Sequence, residues 1–214
     1  MTARYGAFGK IPALGDFFRL ALSQDFVAPW DRWLQASIVE ARAALGAGFQ
    51  DAYMSAPIWR FSLPPGVAGR SAVSGILMAS VDQVGRLFPL TLAQEAGTGG
   101  DVLADHAALL AVATELEETA LDALSDTLSR DALAARLELC PAPRRAVLPP
   151  DARYLRLQGG ALVPASPPFS PRHSIWSAPA GDGLVLIAAD GLPAPLFATL
   201  INSATLRCEG AAHD

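Results

Sequence analysis

The chain has 214 residues, 51% hydrophobic and 17% charged, with a formal net charge of −5. That composition supplies a core without staples and excludes a disordered chain. The acidic balance excludes the basic footprint that nucleic acid or an anionic membrane requires.

The N-terminal MTARYGAFGK has no apolar leader segment. No run reaches the roughly 18 apolar residues of a membrane helix. The two cysteines, Cys140 and Cys208, have neither zinc-site nor disulfide-framework spacing. The expectation is a cytoplasmic protein with free thiols and no membrane insertion.

In chain order, Tyr5 to Phe8 reads as a short first strand. Gly9 to Asp16 is a loop shaped by two glycines and a proline, followed by the aromatic pair Phe17 and Phe18, both expected to be buried. Phe26, Trp30, Trp33, Leu34, Ile38, Ala41 and Leu45 recur at steps of three and four, which predicts a helix over 26–45. Pro29 is placed in its first turn, and Gly46 and Gly48 end it.

A strand-rich block follows. In Ile58 to Leu63, Trp59, Phe61 and Leu63 fall on one side, and Ile58, Arg60 and Ser62 on the other. Ala72 to Val81 is an apolar run, and Leu87 to Gln94 returns after the turn Asp82 to Arg86. Short connections make these three an antiparallel meander, with Pro89 setting the start of the last one at an edge or bulge.

Asp101 caps a second helix, whose stripe is Leu103, Ala107, Leu110, Ala113, Leu116, Ala120, Leu124 and Leu128. A short helix over 132–139 follows, capped by Ser129 or Asp131. The last third holds strand candidates at 152–157, 161–164, 174–178 and 183–188, with glycine turns at 159–160 and 181–183. Between them lies a proline-rich loop, Ser166 to Pro171. A short helix over 194–204 and a frayed tail from about 205 close a single domain over 1–214.

No stretch carries recognisable catalytic chemistry. Gly6 to Lys10 resembles a phosphate loop, but Ile11 stands where the motif needs a hydroxyl, and Pro12 follows. Among the three histidines, His213 is in the tail and His106 beside the second helix's stripe. His173 adjoins Ser174, but no G-x-S-x-G elbow presents a nucleophile. No metal-ligand set or cofactor motif exists. Asp16 suits a turn, bonding an amide two residues on. Asp31 suits the start of a helix, and Asp82 suits an ion pair with Arg86. Trp30, Trp33, Trp59 and Trp176 read as core.

Several stretches together resemble the TagF family (also called ImpM) of bacterial type VI secretion accessory proteins. They are Gly9-Lys10-Ile11-Pro12 with Gly15-Asp16-Phe17; Trp30-Asp31-Arg32-Trp33-Leu34-Gln35; Ala56 to Phe61; Gly75 to Met78; Ser80-Val81-Asp82; and Val84 to Leu90. Ser174-Ile175-Trp176 and Gly191-Leu192-Pro193 also fit. The blocks GKxPxxGDF and SVDxxGRxFPL carry most of the specificity.

The resemblance implies an α/β fold with α/β/α layers around a central mixed, largely antiparallel sheet. It also implies a non-enzymatic repressor, without catalytic residues, cofactors or metal. Such proteins act after translation, binding a forkhead-associated (FHA) scaffold protein and keeping the apparatus unassembled. Baseplate components are further candidate partners. A structural part of the machine is the alternative, and a nucleotide-responsive module using the Gly9-Lys10 loop ranks behind it. Because loops on rigid scaffolds carry recognition, Lys10, Asp16, Asp82 and Arg86 are the candidate partner-binding residues, with Ser166 to Pro171 as a rival surface.

Overall fold

The computed structural model describes residues 4–96, 101–144, 154–156, 162–164, 172–180, 183–192 and 194–201. The proline-rich loop, the turn at 159–160 and the tail from 205, with Cys208 and His213, lie outside the described residues.

Alternating apolar residues build one seven-stranded sheet. Its first strand, β1 (Tyr5–Gly9), lies between β2 (Phe18–Leu20) and β5 (Leu90–Ala96). Beyond β5 come β4 (Ala72–Met78), β3 (Trp59–Leu63), β8 (His173–Ala180) and β9 (Gly183–Asp190). Strands β6 (Tyr154–Arg156) and β7 (Leu162–Pro164) pair separately. Every pairing is antiparallel, and β3–β4–β5 is the expected meander.

Helices cover both faces. Helix α1 (Gln24–Leu45), α2 (Phe49–Met54) and α6 (Ala194–Ile201) lie on one. Helices α3 (Val102–Leu110), α4 (Ala113–Asp122) and α5 (Arg130–Leu139) lie on the other. The α/β/α layering follows from strand alternation. Trp59, Phe61 and Leu63 enter the core under α1, whereas Arg60 and Ser62 point towards α4 and α3. Among the described residues, no helix is long and apolar enough to cross a membrane.

Trp30 is the centre of the α1-side core. It is fully buried, with ring centroids 4.7 Å from Phe61, 4.9 Å from Trp33 and 6.0 Å from Trp176. Its Nε1 donates to Thr91 Oγ1 at 2.9 Å, satisfying the one polar atom of the ring. All four tryptophans are core, as their positions predict.

Several expectations need correction. Helix α1 begins earlier, at a Ser23 cap whose Oγ accepts from Phe26 N at 3.2 Å. Pro29 therefore sits past the first turn, and it cannot donate to the carbonyl of Asp25. Asp31 is also deeper in the helix, past the first turn where its charge would favour the helix dipole, and it accepts from Gln35 Nε2 at 2.9 Å. Of the two glycines expected to end α1, Gly46 takes positive φ, at 52°, and Gly48 does not.

The second helix is two, broken at Ala111 and Val112. Helix α3 follows β3, β4 and β8, while α4 follows β4 and β5. Strands in a sheet rotate by about 20–25° from one to the next, so a straight helix cannot track both pairs. Leu124 falls beyond the end of α4 and is exposed.

Strand β2 and helix α2 are too short for periodicity to reveal. In β2, Phe18 turns inward while Phe17, just ahead of it, stays 45% exposed, so the aromatic pair is not buried together.

Candidate functional site

The Gly9–Asp16 loop and the Asp82–Arg86 turn lie against one another at the β1–β5 end of the sheet. Two glycines allow this. Gly9, at φ 134°, passes so close to Pro89 O that a side chain would collide with it. Gly85, at φ 80°, closes the turn, in which Gly85 N donates to Asp82 O at 2.9 Å and Asp82 N to Arg86 O at 3.1 Å.

Asp82 holds the two segments together. Its side chain is fully buried. Oδ1 accepts from Val84 N at 3.1 Å and Arg86 N at 2.9 Å. Oδ2 accepts from Lys10 Nζ at 2.9 Å and Arg86 Nε at 2.6 Å. Burial pushes this carboxyl up, but the hydrogen bonds from Lys10, Arg86 and Val84 outweigh it and hold the group well below the usual carboxylate range. The carboxylate is thus ionised at neutral pH, and each of its oxygens accepts two hydrogen bonds.

Further bonds join the segments. Arg86 Nη2 donates to Gly15 O at 2.6 Å, and Gln83 N donates to Leu14 O at 3.1 Å. Ser80 Oγ donates to Lys10 O at 2.8 Å, and Ser80 O accepts from Tyr53 OH at 3.0 Å. Lys10 Nζ also lies 4.7 Å from the Phe17 ring centroid. Phe17 packs edge-on against Phe88 at 4.7 Å. The outer surface of this assembly presents Phe17, Val84 (72% exposed), Asp16 and the outer part of Arg86.

A second buried polar group lies under α3. His106 is fully buried, with Nε2 2.8 Å from Ser177 Oγ and Nδ1 3.2 Å from Ser62 Oγ. Ser62 Oγ is in turn 3.0 Å from Ser74 Oγ. Burial, reinforced by the Arg60 charge, drives the imidazole pKa down to about 3, so the ring is neutral. Both ring nitrogens are occupied by hydroxyls, and no surface opens onto the Ser177–His106 pair. Ser174 is also structural: its Oγ donates to Gly191 O and accepts from Trp176 Nε1. Among the described residues, no group of three or more histidine, cysteine or acidic side chains is placed to hold a metal ion.

Residues 6–140 match the family model of the TagF N-terminal domain, which is type VI secretion system-associated. The chain belongs to the TagF family. Among solved structures it is similar to PA0076 from Pseudomonas aeruginosa PAO1, at 29% identity and a TM-score of 0.72, over 92% of this chain and 94% of that one. No curated protein matches.

The part of the chain that matches the TagF model includes both loops and every residue of the Asp82 latch. Of the four candidate residues, the structure brings three together: Lys10, Asp82 and Arg86. Asp16 is on the same loop and exposed, but its Oδ1 accepts from the next amide, Phe17 N, at 2.8 Å, not from one two residues on. The Asp82–Arg86 pair is as expected. Lys10 is only 5% exposed and spent on Asp82, which leaves its ammonium unsuited to a phosphate. Sequence reasoning missed the exposure of Phe17 and Val84. The available signal was local: Val84 in mid-turn beside Gly85, and Phe17 directly after the Gly15-Asp16 bend.

Proposed function

We propose that this chain is a cytoplasmic, non-enzymatic negative regulator of the type VI secretion system. It acts after translation by binding the system's FHA scaffold protein through the latched loop pair. The observation that carries the reading is the Asp82 latch. A buried carboxylate held by Lys10 and Arg86 fixes two loops in one arrangement and leaves Phe17, Val84, Asp16 and Arg86 facing outward. A surface ordered before the encounter loses less entropy on binding, and exposed aromatic and arginine side chains are the types that anchor interfaces. The sealed Ser177–His106 pair and the occupied Lys10 ammonium support binding over catalysis.

The test uses a host with this secretion system. Deletion is expected to raise secretion of the tube protein under repressing conditions, and the wild-type gene to reverse it. Val84→Glu and Asp16→Arg leave the latch contacts in place, and neither is expected to restore repression or to recover the FHA protein in a pull-down. Unchanged secretion on deletion, or full repression by both variants, rejects the reading. The repressor is expected to be substoichiometric in purified assemblies, whereas a machine part would be stoichiometric.

A further inference from the structure

Arg42 stands in the last turn of α1. Its guanidinium lies over the ring of the buried Phe49, the first residue of α2, with Cζ 4.9 Å from the ring centroid. No acid stands three or four residues away on its own helix, where Ile38, Val39, Leu45 and Gly46 lie. Among the described residues no carboxylate pairs with it, and no acceptor takes its N–H groups. The helix dipole favours a cation at this end of α1, but it takes up none of the five donors of the guanidinium.

The same arginine lines an open recess of about 300 Å³, together with Gly46, Ala47, Phe49, Gln50 and Leu87. Gly46, at φ 52°, turns the chain out of α1 and leaves clear space where a side chain would stand. The side-chain amide of Gln50 also has no hydrogen-bond partner among the described residues. Two side chains rich in N–H donors, neither of them spent, therefore line one recess.

We propose that this recess binds a small organic oxyanion, a molecule whose phosphate or carboxylate group is taken by the planar fork of Arg42 and the amide of Gln50. The fork matches the paired oxygens of either group. The volume stands at the lower end of the range for small-ligand clefts, roughly 300–1,000 Å³. It is also several times the ~30 Å³ share of one water, more than a bare oxyanion fills. Leu87 and the edge of Phe49 supply an apolar wall for the organic part. The recess uses no side chain of the Asp82 latch, so the proposal stands or falls independently of the repressor reading.

An NMR titration of the full chain at constant ionic strength tests the proposal. The probes are phenyl phosphate and benzoate, with inorganic phosphate and acetate as the bare groups and chloride as the blank. Phenyl phosphate or benzoate is expected to shift the Arg42 Nε–H signal and the Gly46 and Ala47 amides to saturation, and the tighter of the two identifies the group. Its bare counterpart is expected to bind more weakly. Arg42→Gln is expected to abolish binding. Arg42→Lys keeps the charge but loses one of the paired bonds, and is expected to weaken binding about tenfold. Ala47→Phe leaves the guanidinium in place, fills the recess and is expected to abolish binding as well. Unchanged amide signals away from the recess check that the variants remain folded. Shifts that do not saturate, that chloride reproduces or that survive Arg42→Gln overturn the proposal. So does binding that survives Ala47→Phe, which marks an exposed cation only, or a bare group that binds as tightly as its phenyl counterpart. A recess that takes an acidic peptide and neither organic probe overturns it too.

Discussion

The two buried polar groups of this protein solve the same physical problem in opposite ways. At the loops, Asp82 stays charged because two cations and two amides surround it. Under α3, His106 stays neutral because it meets only hydroxyls and a nearby like charge from Arg60. The charged group joins segments 72 residues apart in sequence and borders the solvent. The neutral one ties a helix to the sheet's interior. Burial alone therefore says little about role. The loop latch organises a surface, while the serine–histidine chain fixes how α3 seats on β3, β4 and β8.

The largest expected effect is at the latch. Lys10→Met keeps the shape and removes one cation, leaving buried Asp82 with Arg86 alone. Thermal denaturation should show a deeper fall in Tm than loss of His106 or of the α1 cap produces, and the pull-down should lose the FHA protein with it. If Tm falls and capture survives, the latch is structural only, and the contrast with His106 disappears.

Next comes the neutral chain. His106→Ala strips Ser177 of its hydroxyl partner, at roughly 1–3 kcal/mol for the group left unsatisfied, while Ser62 keeps Ser74. Denaturant unfolding should record that loss while repression by the surviving folded protein stays intact.

The two groups also differ in how they respond to acid. Unfolded, His106 takes a proton near its ordinary 6.5, whereas folded it resists until about 3. The unfolded state binds more protons across that window, so stability falls as pH drops through it, by up to about 1.4 kcal/mol per pH unit. Asp82, with its pKa depressed, contributes stability that is lost only below the ordinary carboxylate value. Urea titrations between pH 7 and 4 should therefore slope in the wild type and flatten in His106→Gln. An unchanged slope in that variant assigns the acid response to other groups.

The smallest effect serves as the control. Ser23→Ala removes the cap of α1, outside both polar groups, and should cost about 1 kcal/mol with no change in the pH slope.

Much of the frame was legible because it is local. Alternation in Ile58 to Leu63 placed each side chain on its observed face, and the three- and four-residue steps from Phe26 to Ala41 marked the buried side of α1. The Asp82–Arg86 pair was legible because four residues and a glycine turn bring it together. Lys10 was not, because its partner is distant in the chain and only the sheet order makes them neighbours. The same holds for His106, whose serines come from β3 and β8. The break at Ala111 and Val112 has no proline or glycine to announce it. It answers to sheet twist, which a one-dimensional pattern does not contain.

Trp30 and Trp176 stack nearly parallel, 6.0 Å apart at 7°. Indoles this close couple their electronic transitions, so the pair should give a split ellipticity band that neither ring gives alone. One ring comes from α1 and the other from β8, beyond the span of the family match. Trp33 lies 4.9 Å from Trp30 and 5.6 Å from Trp176 and couples with both, so the part of the band that Trp176→Phe removes is the part that reports, without any label, the C-terminal strands closing onto the helix.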